Sequence, residues 1–216
     1  MSETKTVTSI TRQKGRQNRV SIFLDNKYGF DLSLDVAHEF NIHKGQQLTA
    51  QEISIINESG LFHKAVNTSL RYVSYRPRSE SEIRTRLRRQ KYDNTLIDKV
   101  MAKLKQQKII DDVSFAEFWK DSRESFSPRS KRVIKLELRR KGVADEIAKR
   151  MTCDVDDNAG AYKAALKKAV SLKNLGYHRF QKKLFSFLHN RGFGYQIIKP
   201  TIEKVWAELG NKKTAE

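Results

Sequence analysis

The chain is poor in the residues that staple, break or anchor a fold: one cysteine, three prolines and two tryptophans stand among 216 residues. A lone Cys153 excludes an intramolecular disulfide framework. The longest strongly apolar run, about Val20 to Leu24, falls far short of the ~20 residues that span a bilayer, so no membrane segment is expected. Met1-Ser-Glu-Thr-Lys5 leads into no apolar h-region, so no secretory signal is expected and the sequence reads as soluble and cytoplasmic. Catalytic constellations are missing as well. There is no G-x-x-x-x-G-K-[ST] for a P-loop. His38, His43, His63, His178 and His189 show no metal-ligand spacing with one another or with Cys153. Asp154, Asp156, Asp157 and Asn158 start like a calcium loop, but Gly160 comes one place late and Ala165 stands where a bidentate Glu is needed. The expectation is a non-enzymatic protein with no metal and no cofactor.

Negative charge is the next shortage, with 25 Asp and Glu against 43 Lys and Arg and a net charge of +18. Residues 1–60 hold seven basic and seven acidic residues, so the whole excess lies after residue 60. Such a field draws polyanions, of which nucleic acid is the usual one. A membrane surface fits less well, because the cations are spread over many helices and not gathered on one amphipathic anchor.

What is present is regular. Val7–Ile10, Val20–Leu24 and Phe30–Leu34 are rich in β-formers, with turn chemistry at Asp25-Asn-Lys-Tyr-Gly29, which predicts a three-stranded meander. Thr49-Ala-Gln-Glu52 has the spacing of a capping box and opens a helical stretch. Beyond it the pattern repeats about every fifty residues. Pro77-Arg78-Ser79 recurs as Pro128-Arg129-Ser130, and Ile83 and Leu87 map onto Ile134 and Leu138, then onto Leu184 and Leu188. Leu96, Ile147 and Ile197 keep the same phase.

Each copy reads as three helices. The first carries an apolar stripe, as in Val66, Leu70, Val73 or Phe115, Phe118, Trp119; this stripe suits a core better than a base-stacking platform. The second starts at the N-caps Ser79 and Ser130, with Glu82 completing a capping box in the first copy alone. It closes at Gly142 and Gly192, where a left-handed residue is easiest, while Lys91 occupies that place in the first copy. The third helix runs through Leu96-Ile97-Val100-Leu104, and in the last copy Pro200 obliges it to start late or kink. Asp111-Asp112 and the Asp154–Asn158 stretch read as polar linkers between copies. The expected fold is mostly α, with a β-containing extension at 1–60, repeats at 61–110, 111–157 and 158–210, and a tail at 211–216.

The second helices concentrate the charge. Residues 71–91 hold eight Lys and Arg against two Glu, and residues 129–141 hold seven against one. Arg84 and Arg88 lie four apart beside the Ile83–Leu87 row; Lys131, Lys135 and Arg139 repeat the arrangement, and Arg89, Lys91, Arg140 and Lys141 extend it. Like charges four apart cost a helix ~0.2–0.5 kcal/mol per pair, so a repeated stripe points to an anionic partner. A helix C-terminal dipole also favours Arg88, Arg89 and Arg139, but not Lys131 in a first turn. In the third copy Phe185, His189 and Asn190 replace Arg84, Arg88 and Arg89, while Lys182, Lys183 and Arg191 remain basic. Unequal contacts by the three copies are therefore expected.

Asp111-Asp112-x-x-Phe115-Ala116 followed by Arg123, and Pro128-Arg129 with Ile134 and Glu137-Leu-Arg-Arg-Lys-Gly142-Val143, resemble motifs of the RecX family. Arg76-x-Arg78-Ser79-x-x-Glu82-Ile83 with Leu87 is similar to the start of that family's first repeat, and the likeness covers roughly residues 62–206. The first sixty residues resemble the β-containing extension of some members. The resemblance implies three tandem three-helix repeats in an elongated, curved rod, and a monomer. It implies a regulator of recombination, DNA repair and the SOS response that lies in the groove of the RecA–single-stranded DNA filament. There it hinders ATP hydrolysis, strand exchange and filament growth. RecA and single-stranded DNA are the implied partners, with double-stranded DNA as a further candidate. Arg78, Arg123, Arg129 and Arg132 join the cations above as candidate contacts. The residues by themselves leave open a stand-alone basic repeat protein that binds DNA without RecA.

Overall fold

The structure, a computed structural model, describes residues 4–13 and 18–213, with side chains to residue 209. Met1–Glu3, where the absence of a signal was read, and the last three residues of the expected tail lie outside the described residues. The chain divides into two compact units, Met1–Arg76 with Ile83–Ile109, and Pro77–Glu82 with Ile110–Glu216.

In the first unit, strands β1 (Thr4–Arg12), β2 (Arg19–Leu24), β3 (Lys27–Ser33) and β4 (Gln47–Thr49) form an antiparallel sheet in the order β3-β2-β1-β4. Asp25 and Asn26 both take positive φ, 49° and 65°, the two-residue hairpin turn whose twist suits flanking strands. Alternation places Val20, Ile22, Leu24, Phe30 and Leu32 on one buried face with Val7. The predicted meander is thus present, and β4 adds a fourth strand. Ser33 ends β3 by capping α1 (Leu34–Glu39), its Oγ accepting the Val36 N–H at 3.4 Å.

Helix α2 (Ala50–Val73) opens with the predicted capping box: the Thr49 N–H donates to Glu52 Oε2 at 2.7 Å, and the Glu52 N–H donates to Thr49 Oγ1 at 3.2 Å. It is continuous for 24 residues, so the boundary expected at 60/61 falls inside a helix. Helix α3 (Glu80–Arg89) follows, then α4 (Asn94–Gln106), which is capped by Asp93. Ile83, Leu87, Ile97, Val100 and Leu104 are all fully buried, at about 1.5–3 kcal/mol of hydrophobic stabilisation each.

The second unit contains α5 (Asp112–Phe126), α6 (Lys131–Arg140) and α7 (Asp145–Met151), then α8 (Asp157–Ala169), α9 (Tyr177–His189) and α10 (Tyr195–Lys213). Each triplet closes its own core. Phe115, Ile134, Leu138 and Val143 gather with Trp119 at the edge, and Phe180, Leu184, Leu188, Phe193 and Ile198 gather with Trp206. Of the expected core stripes, Phe115 is core with Trp119 packed against it, while Phe118, Val66, Leu70 and Val73 are half-buried. Of the late start or kink expected at Pro200, the late start does not occur: α10 begins at Tyr195 and runs through the proline. Pro200 lies in the second turn on an exposed side, where the loss is one backbone donor, and Thr201 Oγ1 beside it donates to the Ile197 carbonyl at 2.7 Å. No helix among the described residues is long and apolar enough to cross a membrane.

Candidate functional site: the second helices

The ends of the second helices are built as joints within the second unit. The Ser79 hydroxyl donates to the Lys141 carbonyl at 2.6 Å, and the Ser130 N–H donates to the Arg191 carbonyl at 3.0 Å. Lys141 and Arg191 are equivalent positions at the ends of α6 and α9. Each serine is buried and also caps its own helix, accepting the N–H of Glu82 or Val133. The next residue is held by the following copy: the Glu80 N–H donates to Asp112 at 2.9 Å and the Lys131 N–H to Asp157 at 2.6 Å.

The paired aspartates, read as linkers, are thus a two-part device, and this corrects the sequence reading. The first member caps its own helix, Asp111 accepting from Val113 and Ser114, and Asp156 from Asn158 and Ala159. The second reaches back to an orphan donor of the preceding second helix. Hydrogen bonds from the backbone and hydroxyl of Ser114 hold the Asp111 carboxyl below the usual aspartate range despite partial burial. The remaining carboxylate of the calcium-like stretch, Asp154, pairs with Lys120 at 2.9 Å. That hydrogen bond lowers the Asp154 pKa and raises the Lys120 pKa.

The expected cations separate into three groups. One is half-buried around Glu137, whose Oε2 accepts from Arg123 Nε at 2.7 Å and from Trp119 Nε1 at 2.9 Å. Arg129 Nε lies 3.2 Å from Glu137 Oε1, an ion pair whose angle makes no hydrogen bond. Arg123 and Lys141 both sit over the Trp119 ring, at 4.4 and 4.2 Å, and Lys141 also pairs with Glu82 at 2.8 Å. Arg191 joins this group through Ser127 and the Pro128 carbonyl; burial, then the charges of Arg129 and Arg123, push its pKa down. Arg78, also half-buried, lies in the second unit two residues before the start of α3.

The second group carries partial partners. Lys135 and Arg139 share Asp145 at 3.2 and 3.4 Å, and Lys131 Nζ donates to the Cys153 carbonyl at 2.5 Å. In the first unit Arg84 pairs with Asp98 at 2.5 Å, and Arg88 Nε donates to Asn94 at 3.3 Å. Surface pairs of this kind contribute about 0–1 kcal/mol and exchange readily for another anion. The third group is exposed and forms no ion pair among the described residues: Arg89 and Lys91 in the first unit, and Arg132, Arg140, Lys182 and Lys183 in the second. Arg132 and Arg140 are eight apart on one row of α6, with the exposed Leu136 between them. In the third copy Phe185 stacks on His189, their centroids 5.9 Å apart, where the first copy has two arginines.

Comparisons with known proteins agree over most of the chain. Residues 5–49 match a model of the regulatory protein RecX N-terminal domain, residues 65–104 the RecX first three-helix domain, and residues 111–150 the RecX second three-helix domain. Regulatory protein RecX of Listeria monocytogenes serovar 1/2a is 30% identical over 213 residues, which cover 97% of this chain and 79% of that relative. Its counterpart from Bacillus pumilus is 28% identical and covers 97% and 81%. A crystal structure of regulatory protein RecX superposes with a TM-score of 0.63 at 27% identity, over 91% of this chain and 99% of the other. The crystal structure of RecX from Lactobacillus salivarius gives 0.55 at 28% identity, over 67% and 96%.

Proposed function

The chain belongs to the RecX family, and from that membership we propose that it restrains the RecA recombinase by binding the RecA–single-stranded DNA filament. The exposed cations of the second helices carry this reading. On α6 the acid within the helix, Glu137, is turned onto Arg123, Arg129 and Trp119, so Arg132 and Arg140 present charge that no carboxylate among the described residues meets. Lys182 and Lys183 do the same on α9. Phosphates are the ligand such a surface favours, and affinity then comes from counterion release. Lys131, Lys135 and Arg139 can trade a weak surface partner for a phosphate, whereas Arg123, Arg129 and Lys141 hold the joint that positions the helix. Inhibition follows from occupancy of the filament and requires no reacting side chain.

The test compares the native chain with the double variant Arg132→Glu, Arg140→Glu. The native chain should slow DNA-dependent ATP hydrolysis by RecA, and the variant should bind the filament more weakly. Each lost phosphate contact should take ~0.7–0.9 from the slope of log K against log salt. Unchanged ATPase at saturating protein rules the reading out. Equal affinity for naked DNA and for the filament would favour a stand-alone DNA binder instead.

A further inference from the structure

The first unit holds another concentration of positive charge, away from the stripe of the second helices. A cleft of about 910 Å³ opens between the start of β2, the β3–α1 junction, α2 and α3. Arg19, Lys64, Arg71 and Arg86 line it, and Asp35 is the one acid in its wall. None of the four cations forms an ion pair among the described residues, in contrast to Lys135 and Arg139 with their shared Asp145. The Nε of Arg19 is buried and meets no acceptor among the described residues. Four cations against the single wall carboxylate of Asp35 repel one another, and an anionic ligand lowers that cost.

The placement follows from α2. Lining positions 60, 64, 67, 68, 71 and 72 recur at helical spacing, so one stripe of α2 forms a wall, and Tyr75 extends it just past the helix end. Gly60 begins this stripe, and a Cβ there would lie 2.8 Å from Leu32 Cδ2, so the glycine lets α2 lie close against β3. At the far end stand Tyr72 and Tyr75; the Arg86 guanidinium sits over the Tyr72 ring at 5.8 Å, and Tyr75 is 78% exposed. Asn67 and Gln90 add side-chain amides that can both donate and accept.

We propose that this cleft binds single-stranded nucleic acid, with phosphates held by Lys64, Arg71 and Arg86 and an unpaired base stacked on Tyr75. Exposed aromatic rings beside a cationic groove are what unpaired bases require; in a duplex those faces are occupied. Lys64 and Arg71 lie about 10 Å apart along the helix, too far to grip one phosphate together, which suits two phosphates along a strand better than a single one. A free nucleotide offers the same chemistry, so the experiment separates the two. This inference rests on a different surface from the proposed RecA function, and its readout needs no RecA.

An oligonucleotide carrying photoreactive 5-iododeoxyuridine is irradiated with the full chain, and the adducts are mapped by mass spectrometry. Adducts are expected at Tyr75 or Tyr72. They should fall at least about tenfold in Lys64→Glu, Arg71→Glu, while Tyr75→Ala should weaken binding of short oligo-dT about fivefold or more. The variant Lys27→Glu, Lys44→Glu makes the same change of net charge at exposed positions outside the cleft and should keep the adducts. All these positions are exposed, and unchanged thermal melting checks the fold. Adducts confined to other helices, or equal loss in both charge-reversal variants, overturn the proposal. So does suppression by thymidine monophosphate at concentrations as low as those of the competing oligonucleotide.

Discussion

The turn after α3 and the turns after α6 and α9 share one backbone shape but not one residue. Lys91, Gly142 and Gly192 all take positive φ, at 64°, 82° and 88°. A left-handed conformation costs a residue with a Cβ roughly 1–2 kcal/mol, and the first turn bears that cost. The later turns could not, because residues at the start of the preceding second helix stand against them. A Cβ on Gly142 would lie 2.3 Å from Ser81 Cβ, and one on Gly192 would lie 2.2 Å from Val133 Cγ2. No three-helix copy precedes Lys91 in the chain, and its side chain is exposed. Glycine at the end of a second helix is thus demanded less by the turn than by the neighbour packed on it.

Substitutions at four positions can break or sharpen that contrast. Gly142→Ala and Gly192→Ala should have the largest effect, losing roughly 2–4 kcal/mol from combined backbone strain and overpacking, read as a fall in the thermal melting temperature. A loss no greater than that of an exposed helix substitution would mean that the neighbouring helix yields easily. Asp157→Ala should come next, at about 1–2 kcal/mol, because it leaves the Lys131 N–H without its charged acceptor. Hydrogen exchange should then quicken at the first turn of α6 before it does in α9. The smallest change is a gain: Lys91→Gly should raise stability by up to about 1 kcal/mol, whereas Lys91→Ala should leave it nearly unchanged. If both variants melt alike, the first turn carries no strain worth relieving.

The parts of this molecule that obey a local period were readable before any coordinates. Alternation and the Asp25-Asn26 turn gave the sheet, Thr49 and Glu52 gave the start of α2, and the Ile83, Ile134, Leu184 register gave the copies. Strand β4 escaped because three residues with a single buried leucine show no alternation. The roles of Asp112 and Asp157 escaped for another reason. Their partners lie 32 and 26 residues away, and a pair of exposed-looking aspartates between helices resembles a linker from within any short window. Charge counting along α6 likewise missed Asp145 and Glu82, acids from other elements that meet Lys135, Arg139 and Lys141. The cleft was hidden twice over. Arg19 and Arg86 are 67 residues apart, and the boundary placed at residue 60 cut off Gly60 from the stripe it begins.

The serine–carbonyl joint gives the array a direction. Ser79 and Ser130 are plugs, the carbonyls after α6 and α9 are sockets, and every plug points toward the C-terminus. The third copy bears no plug: Phe180 stands at the position of Ser79 and Ser130, its N–H already donates to the Gly176 carbonyl at 3.0 Å, and its ring is buried with its centroid 5.0 Å from that of Trp206 within its own triplet. Lys91 in turn spoils the first socket. A further copy grafted behind the third would find no free donor at Phe180 to grip, so the joint runs one way and stops there.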